Sequence, residues 1–157
     1  MIIQTVIDFL HVLATVSWIG GMIYINAVLM PSLSALGPES RGTLMQAAAK
    51  RFAIVSWSSV VVLLLTGLQK TPTGMLFDMS TSYGITLTIK HILVLAMICG
   101  GLFITFVIVP RMTALAPKPQ QKPTVEFFKS QKQLQIMALT NMVLGIIVLL
   151  CVVLLKV

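Results

Sequence analysis

The sequence predicts an all-α fold, an integral membrane four-helix bundle with its N-terminus and C-terminus outside, and three observations carry that expectation. Of 157 residues, 57% are hydrophobic and only 10% are charged, against about a quarter charged in ordinary soluble domains. Mean hydropathy is +1.00. Four apolar runs can each cross ~30 Å of hydrocarbon at ~1.5 Å per residue, and the basic residues gather between them. A chain of this length makes one domain, here a single transmembrane domain over residues 1–157. The net charge of +7 then reads as loop charge at a membrane surface, and nucleic acid drops out as a partner.

The first span runs from about Thr5 to Met30 and holds no Lys or Arg. It lacks a basic leader and is too long for a signal peptide. The second runs from about Phe52 to Leu68, the third from about Gly84 to Val109, and the fourth from about Leu134 to Leu155. Pro31 and Pro110 follow the first and third spans as expected stops. Between Pro38 and Arg51, Leu44, Ala47 and Ala48 recur at helical spacing, which predicts a short interfacial helix. Ala116 to Pro123 contains Pro117, Pro119 and Pro123 and reads as an extended linker. No internal repeat is evident.

Orientation follows from Lys and Arg placement. The first connection carries Arg41, Lys50 and Arg51, and the third carries Arg111, Lys118, Lys122, Lys129 and Lys132. Only Lys70 and Lys156 lie in the second connection and at the C-terminus. The positive-inside bias puts the first and third connections in the cytoplasm and both termini outside. A multi-pass protein of the inner (cytoplasmic) membrane, in contact with lipid, is the expected setting.

A polar side chain in hydrocarbon needs a partner or a cavity, so the faces that carry such residues matter. At 100° per residue, Gln4, Asp8, His11, Thr15, Trp18, Met22 and Asn26 share an arc of about 80° on the first helix. Gly20 and Gly21 lie off that arc, where they suit close helix contact. The third helix places Tyr83, Thr86, Lys90, Met97, Gly101 and Thr105 within about 100°. Ser56, Ser59, Thr66 and Lys70 form a weaker stripe on the second, and Met137, Asn141 and Gly145 cluster on the fourth. Most of these Ser, Thr and Asn residues read as interhelical hydrogen-bonders, and most Met residues as packing.

His11, Lys90 and His91 stand apart. They are the two histidines and the intramembrane lysine, and all three sit ~10 Å below the outer boundary in this topology. Asp8, one turn outward of His11, is placed to orient its imidazole or to pair with Lys90. His91 is rotated by 100° from Lys90, so the two cannot both point at the bundle centre: either the interior arc is wide enough for both, or one faces a neighbouring helix or lipid. Cys99 and Cys151 differ by ~15 Å in depth and cannot pair. No CxxC, CxxCH or HExxH pattern occurs, so covalent haem and zinc-protease chemistry drop out, and no catalytic residue is indicated.

The runs FLHVLATVSWIGGMIYINAVLMPSL (Phe9 to Leu33), RFAIVSWSSVVVLLLTGL (Arg51 to Leu68) and YGITLTIKHILVL (Tyr83 to Leu95) resemble the copper-resistance-protein-D-like membrane family. Lys90 then takes the place of that family's third-helix lysine. The pattern of His11, Trp18, Gly21, Tyr24 and Lys90 is also distantly similar to the membrane-bound protoporphyrinogen oxidase family, where the matching histidine and lysine are implicated in haem binding. The Arg/Asn-Glu-Pro stretch expected near that oxidase's last helix is absent. Three functions follow. One is a b-type haem protein transferring electrons in the membrane, with His11 and either His91 or Lys90 as axial ligands, Trp18 beside the ring, and a redox partner or quinone. The second is the copper binding or transport that the resemblance implies, with His11, His91, Met22 and Met97 as candidate metal ligands. The third is a non-catalytic membrane subunit, and a homo-oligomer is compatible with each.

Overall fold

The computed structural model describes residues 1–70, 79–117, 121 and 123–155, with the side chains of residues 38 and 39 excepted. Lys118, Lys122, Pro119 and Lys156, on which part of the loop-charge and linker expectations fall, lie outside the described residues. Every described element is helical. Helix α1 (Ile2–Tyr24) passes into a π-helical turn (Ile25–Leu29), the short α2 (Met30–Ser32) and a 3₁₀ turn (Leu33–Ala35). Helix α3 covers Pro38–Lys70, and α4 (Ser82–Phe103) passes through a second π turn (Ile104–Ile108) into α5 (Val109–Ala114). Helix α6 covers Val125–Leu154. Four continuous runs, Ile2–Ala35, Ser40–Lys70, Ser82–Ala114 and Val125–Leu154, are long and apolar enough to span a membrane. Each has at least 30 residues and a length of ~45 Å or more, so each extends past the ~30 Å hydrocarbon core.

Four expected boundaries are corrected. Neither proline ends its helix. Each follows a wide turn, in which the Met30 N–H bonds the Ile25 carbonyl and the Val109 N–H bonds the Ile104 carbonyl. A π turn shifts the backbone register just ahead of the ring, where Pro would otherwise clash with the carbonyl four residues back. Side chains supply further bonds around the first turn. Asn26 Nδ2 donates to the Met22 carbonyl at 2.8 Å, and Ser32 Oγ to the Val28 carbonyl at 2.7 Å. The interfacial helix from Pro38 to Arg51 is not separate. It is the first part of α3, because the Leu44–Arg51 stretch contains only good helix formers and nothing to break the run. Helix α6 begins at Val125, well before Leu134, because Thr124 caps it by accepting the Phe127 N–H at 3.2 Å and Glu126 sits in the first turn. Lys129 and Lys132 are therefore helical.

Helix contacts divide the chain into two compact units, Met1–Thr88 and Ile89–Val157. In the first, α1 packs along α3. A Cβ on Gly21 would collide with the Phe52 ring, whereas one on Gly20 would meet nothing within 4 Å. The expectation of close helix contact thus holds for Gly21 and fails for Gly20, which is on an exposed face. The stripe on α1 turns inward: Trp18 is 6% exposed, against 40% for Leu10 and 49% for Val28 on other faces. In the second unit, α5 and its preceding π turn pack against α6. Asn141, Gly145, Val148 and Cys151 are buried along one face of α6. Asn141 Nδ2 donates to the Met97 carbonyl at 3.1 Å, and a Cβ on Gly100 would lie 2.6 Å from Asn141 Oδ1.

Each unit, taken by itself, carries the same local device. Ile25-Asn-Ala-Val-Leu-Met-Pro31 and Ile104-Thr-Phe-Val-Ile-Val-Pro110 place a π turn and a proline at identical spacing. Ten residues before each proline is a glycine, Gly21 or Gly100, whose missing side chain admits a residue of a neighbouring helix. Only Ile, Val, Pro and the glycine coincide, too few identities to stand out before the backbone shows the two turns.

Candidate functional site

Two polar pairs lie on the α1–α3 seam of the first unit. Asp8 and His11 are one turn apart on α1, and Thr66 and Lys70 are one turn apart on α3. Because the helices run antiparallel, Asp8 meets Lys70 while His11 meets Thr66. Lys70 Nζ lies 2.7 Å from Asp8 Oδ1, and Gln4 Nε2 donates to the same oxygen at 3.4 Å. This cluster is half exposed, near the end of α1 where the chain begins.

His11 lies deeper on the same face and is half-buried. Its Nδ1 is 2.7 Å from Oγ1 of the buried Thr66. That hydroxyl also donates to the Val62 carbonyl at 2.6 Å. Thr15 Oγ1 donates to the His11 carbonyl at 2.7 Å, which ties the backbone of the same turn. The ring edge rests over Gly67, where a Cβ would stand 3.6 Å from His11 Cε1, an ordinary contact distance. The hydrogen bonds on this seam pair Asp8 and His11 separately. Thr66 takes the Nδ1 position, and the Asp8 carboxylate is directed to Lys70.

Further along the stripe, Trp18 and Met22 are buried. His11 and Met22 are eleven residues apart on one unbroken helix, a rise of ~16 Å. They cannot ligate the same ion, so the candidate copper ligands of α1 mark two levels. On α4, Lys90 and His91 are both half-buried, and Met97 is 1% exposed. His91 and Met97 are ~9 Å apart along that helix and likewise stand at different levels. Among the described residues no group of three His, Cys, Asp or Glu side chains could hold a metal ion. Cys99 is exposed and Cys151 buried, both as free thiols. Thr88, buried on α4, has a side-chain oxygen with no hydrogen-bond partner.

Sequence reasoning placed Thr66 and Lys70 on one polar stripe of the second helix but named a partner for neither. The available signal was the spacing. Asp8 and His11 step down α1 as Lys70 and Thr66 step up α3, the register that two antiparallel neighbours impose.

Four membrane-length helices, no other element among the described residues, and polar side chains gathered on inward faces define a multi-pass membrane helical protein. The copper resistance protein D family matches residues 46–155, most of the chain, and the protein belongs to that family. The matched span includes Thr66, Lys70, Lys90, His91 and Met97, while His11, Trp18 and Met22 precede it. An uncharacterized protein of Aquifex aeolicus (strain VF5) is 36% identical over 64 residues, which cover 40% of this chain and 44% of that protein. No solved structure matches the chain.

Proposed function

We propose that this protein handles copper within the cytoplasmic membrane, with both termini on the outer face and His11 as one of the groups that meet the ion. The observation that carries the reading is a histidine on the buried stripe, oriented by an interhelical hydrogen bond, in a chain of a copper-resistance family. Copper is the cargo. Met22 and Met97 add soft thioethers suited to Cu(I), and His91 a second imidazole. The separation of His11 from Met22 favours successive contacts with the ion over one closed cage. The b-type haem reading, with His11 and His91 or Lys90 as axial ligands, gains nothing from the family match, whereas the copper reading does. Orientation rests on the basic residues, since Arg41, Lys50 and Arg51 in the N-terminal part of α3, Arg111 in α5, and Lys129 and Lys132 at the start of α6 flank the first and third connections.

The test is Cu(I) retention by the purified full chain under reducing, anaerobic conditions, beside its visible spectrum. Bound copper that falls in His11→Ala and Met22→Leu, with no Soret band in wild type, supports the proposal. A Soret band lost with His11 moves the assignment to haem. Retention that is unaffected by His11→Ala removes His11 from the site. A single cysteine placed beside Arg111 should resist labelling from outside intact cells; ready labelling there would reverse the orientation.

A further inference from the structure

We propose that Thr66 is a positioning residue that decides which nitrogen of His11 meets the ion, by holding the ring proton on Nδ1 and leaving the lone pair on Nε2. The proposal deepens the copper reading of His11 and, for its effect on the ion, rests on it.

The assignment follows from proton counting. A threonine hydroxyl has one proton to give. Thr66 Oγ1 is 2.6 Å from the Val62 carbonyl oxygen and 2.7 Å from His11 Nδ1. A carbonyl oxygen can only accept, so the hydroxyl proton goes to Val62. The contact with His11 is then a bond only if Nδ1 carries a proton and donates it to Oγ1. In the neutral ring the other nitrogen, Nε2, must hold the lone pair that a metal ion uses. Thr66 is 7% exposed, and in such a setting a mismatched donor and acceptor is costly. The Nδ1–H is therefore fixed rather than exchanging freely between the two nitrogens.

The same logic operates wherever a histidine ligand gives its second N–H to an outer partner, which fixes tautomer and ring orientation and makes the coordinating nitrogen more basic. Here the partner is a hydroxyl on a neighbouring helix, itself anchored to the backbone of its own helix. Gly67, next in sequence, leaves room for the ring edge. Val62, Thr66 and Gly67 of α3 thus act together as a seat for one imidazole.

The experiment reads the proton directly. In the full chain labelled with ¹⁵N-histidine and held at alkaline pH, the His11 signals, identified by their loss in His11→Gln, report which nitrogen is protonated. Wild type is expected to carry Nδ1–H. Thr66→Val keeps the shape and removes the hydroxyl, so the proton should move to Nε2, while Thr66→Ser should restore Nδ1–H. Cu(I) affinity, measured against a chromophoric chelator, should fall roughly 10- to 100-fold in Thr66→Val and recover in Thr66→Ser. Wild-type His11 protonated at Nε2 alone would overturn the proposal without need of any variant, as would a Thr66→Val protein whose His11 remains Nδ1–H. A tautomer that shifts as stated, with Cu(I) affinity indifferent to both Thr66 and His11, upholds the positioning by Thr66 and defeats the copper reading instead.

Discussion

Asn141 of α6 donates its side-chain amide to the main-chain carbonyl of Met97 on α4, at 3.1 Å, in a notch that Gly100 leaves open. That carbonyl belongs to a helix in hydrocarbon, where a polar side chain without a partner is costly and interhelical hydrogen bonds average about 0.6 kcal/mol with a maximum near 1.7. Two changes should therefore loosen the second unit by different routes. Asn141→Leu removes the bond and should lower stability by about 0.5–2 kcal/mol. Gly100→Ala sets a methyl 2.6 Å from Asn141 Oδ1 and should cost about 1–3 kcal/mol through overpacking. The double variant should depart from the sum of the two, because the leucine sets a methyl where the oxygen stood and the added methyl of residue 100 meets that instead. Thermal melting in detergent of the four proteins measures each quantity, and strict additivity would falsify the shared contact.

Thr88 presents the opposite case. Its hydroxyl is buried, 3% exposed, and makes no hydrogen bond. Burial of an unsatisfied polar group is unfavourable by about 1–3 kcal/mol. Thr88→Val has the same shape and no hydroxyl, so it should raise stability by about 1 kcal/mol. A melting temperature above wild type confirms this. A loss of copper retention in the more stable variant would mark Thr88 as a group kept for function at the expense of stability.

The two π turns make a further expectation. Pro31 and Pro110 each follow a turn of five residues in which hydrogen bonds reach one residue further than in an α-helix. Replacing Pro31 by Ala restores an N–H and removes the ring, so the run Ile25–Leu29 can close into ordinary α register. Amide exchange over that stretch should slow at least several-fold, with α1 ahead of Tyr24 unchanged. Pro110→Ala should do the same for Ile104–Ile108. Unchanged exchange in both would show that Asn26, Ser32 and the neighbouring packing, rather than the prolines, set the turns.

The four spans were legible because hydrophobic length is a property of composition, and the inward stripe on α1 because 100° per residue is a fixed rotation. His11 and Trp18 accordingly face inward as their register demands. The helix ends were less legible. Pro31 and Pro110 look like stops to any local rule, and only the backbone shows the wide turns that carry the helix past them. The partner choices of Asp8 and His11 were hidden for another reason. On chemical grounds Asp8 could be matched with the His11 imidazole or with the Lys90 amine, and the antiparallel register of α1 and α3, a non-local property, gave Lys70 to Asp8 and Thr66 to His11.

That division of partners yields the last prediction. If the imidazole of His11 is held by Thr66 and not by Asp8, then removal of the Asp8 charge should leave the ring undisturbed. Asp8→Asn keeps the size of the side chain and still accepts from Lys70 and Gln4 through its carbonyl oxygen. The His11 proton should stay on Nδ1 in this variant, since the Oγ1 contact at 2.7 Å is intact. Lys70→Met, which removes the cation from the same pair, should be equally silent at His11. The Asp8–Lys70 pair is half exposed, and exposed ion pairs contribute little to stability, so neither variant should lower the melting temperature appreciably. The measurement is the ¹⁵N spectrum of His11 in wild type, Asp8→Asn and Thr66→Val recorded side by side. A shift in Thr66→Val alone assigns the orienting role to the hydroxyl. A shift in Asp8→Asn returns it to the carboxylate and makes the outer ion pair part of the histidine's own network.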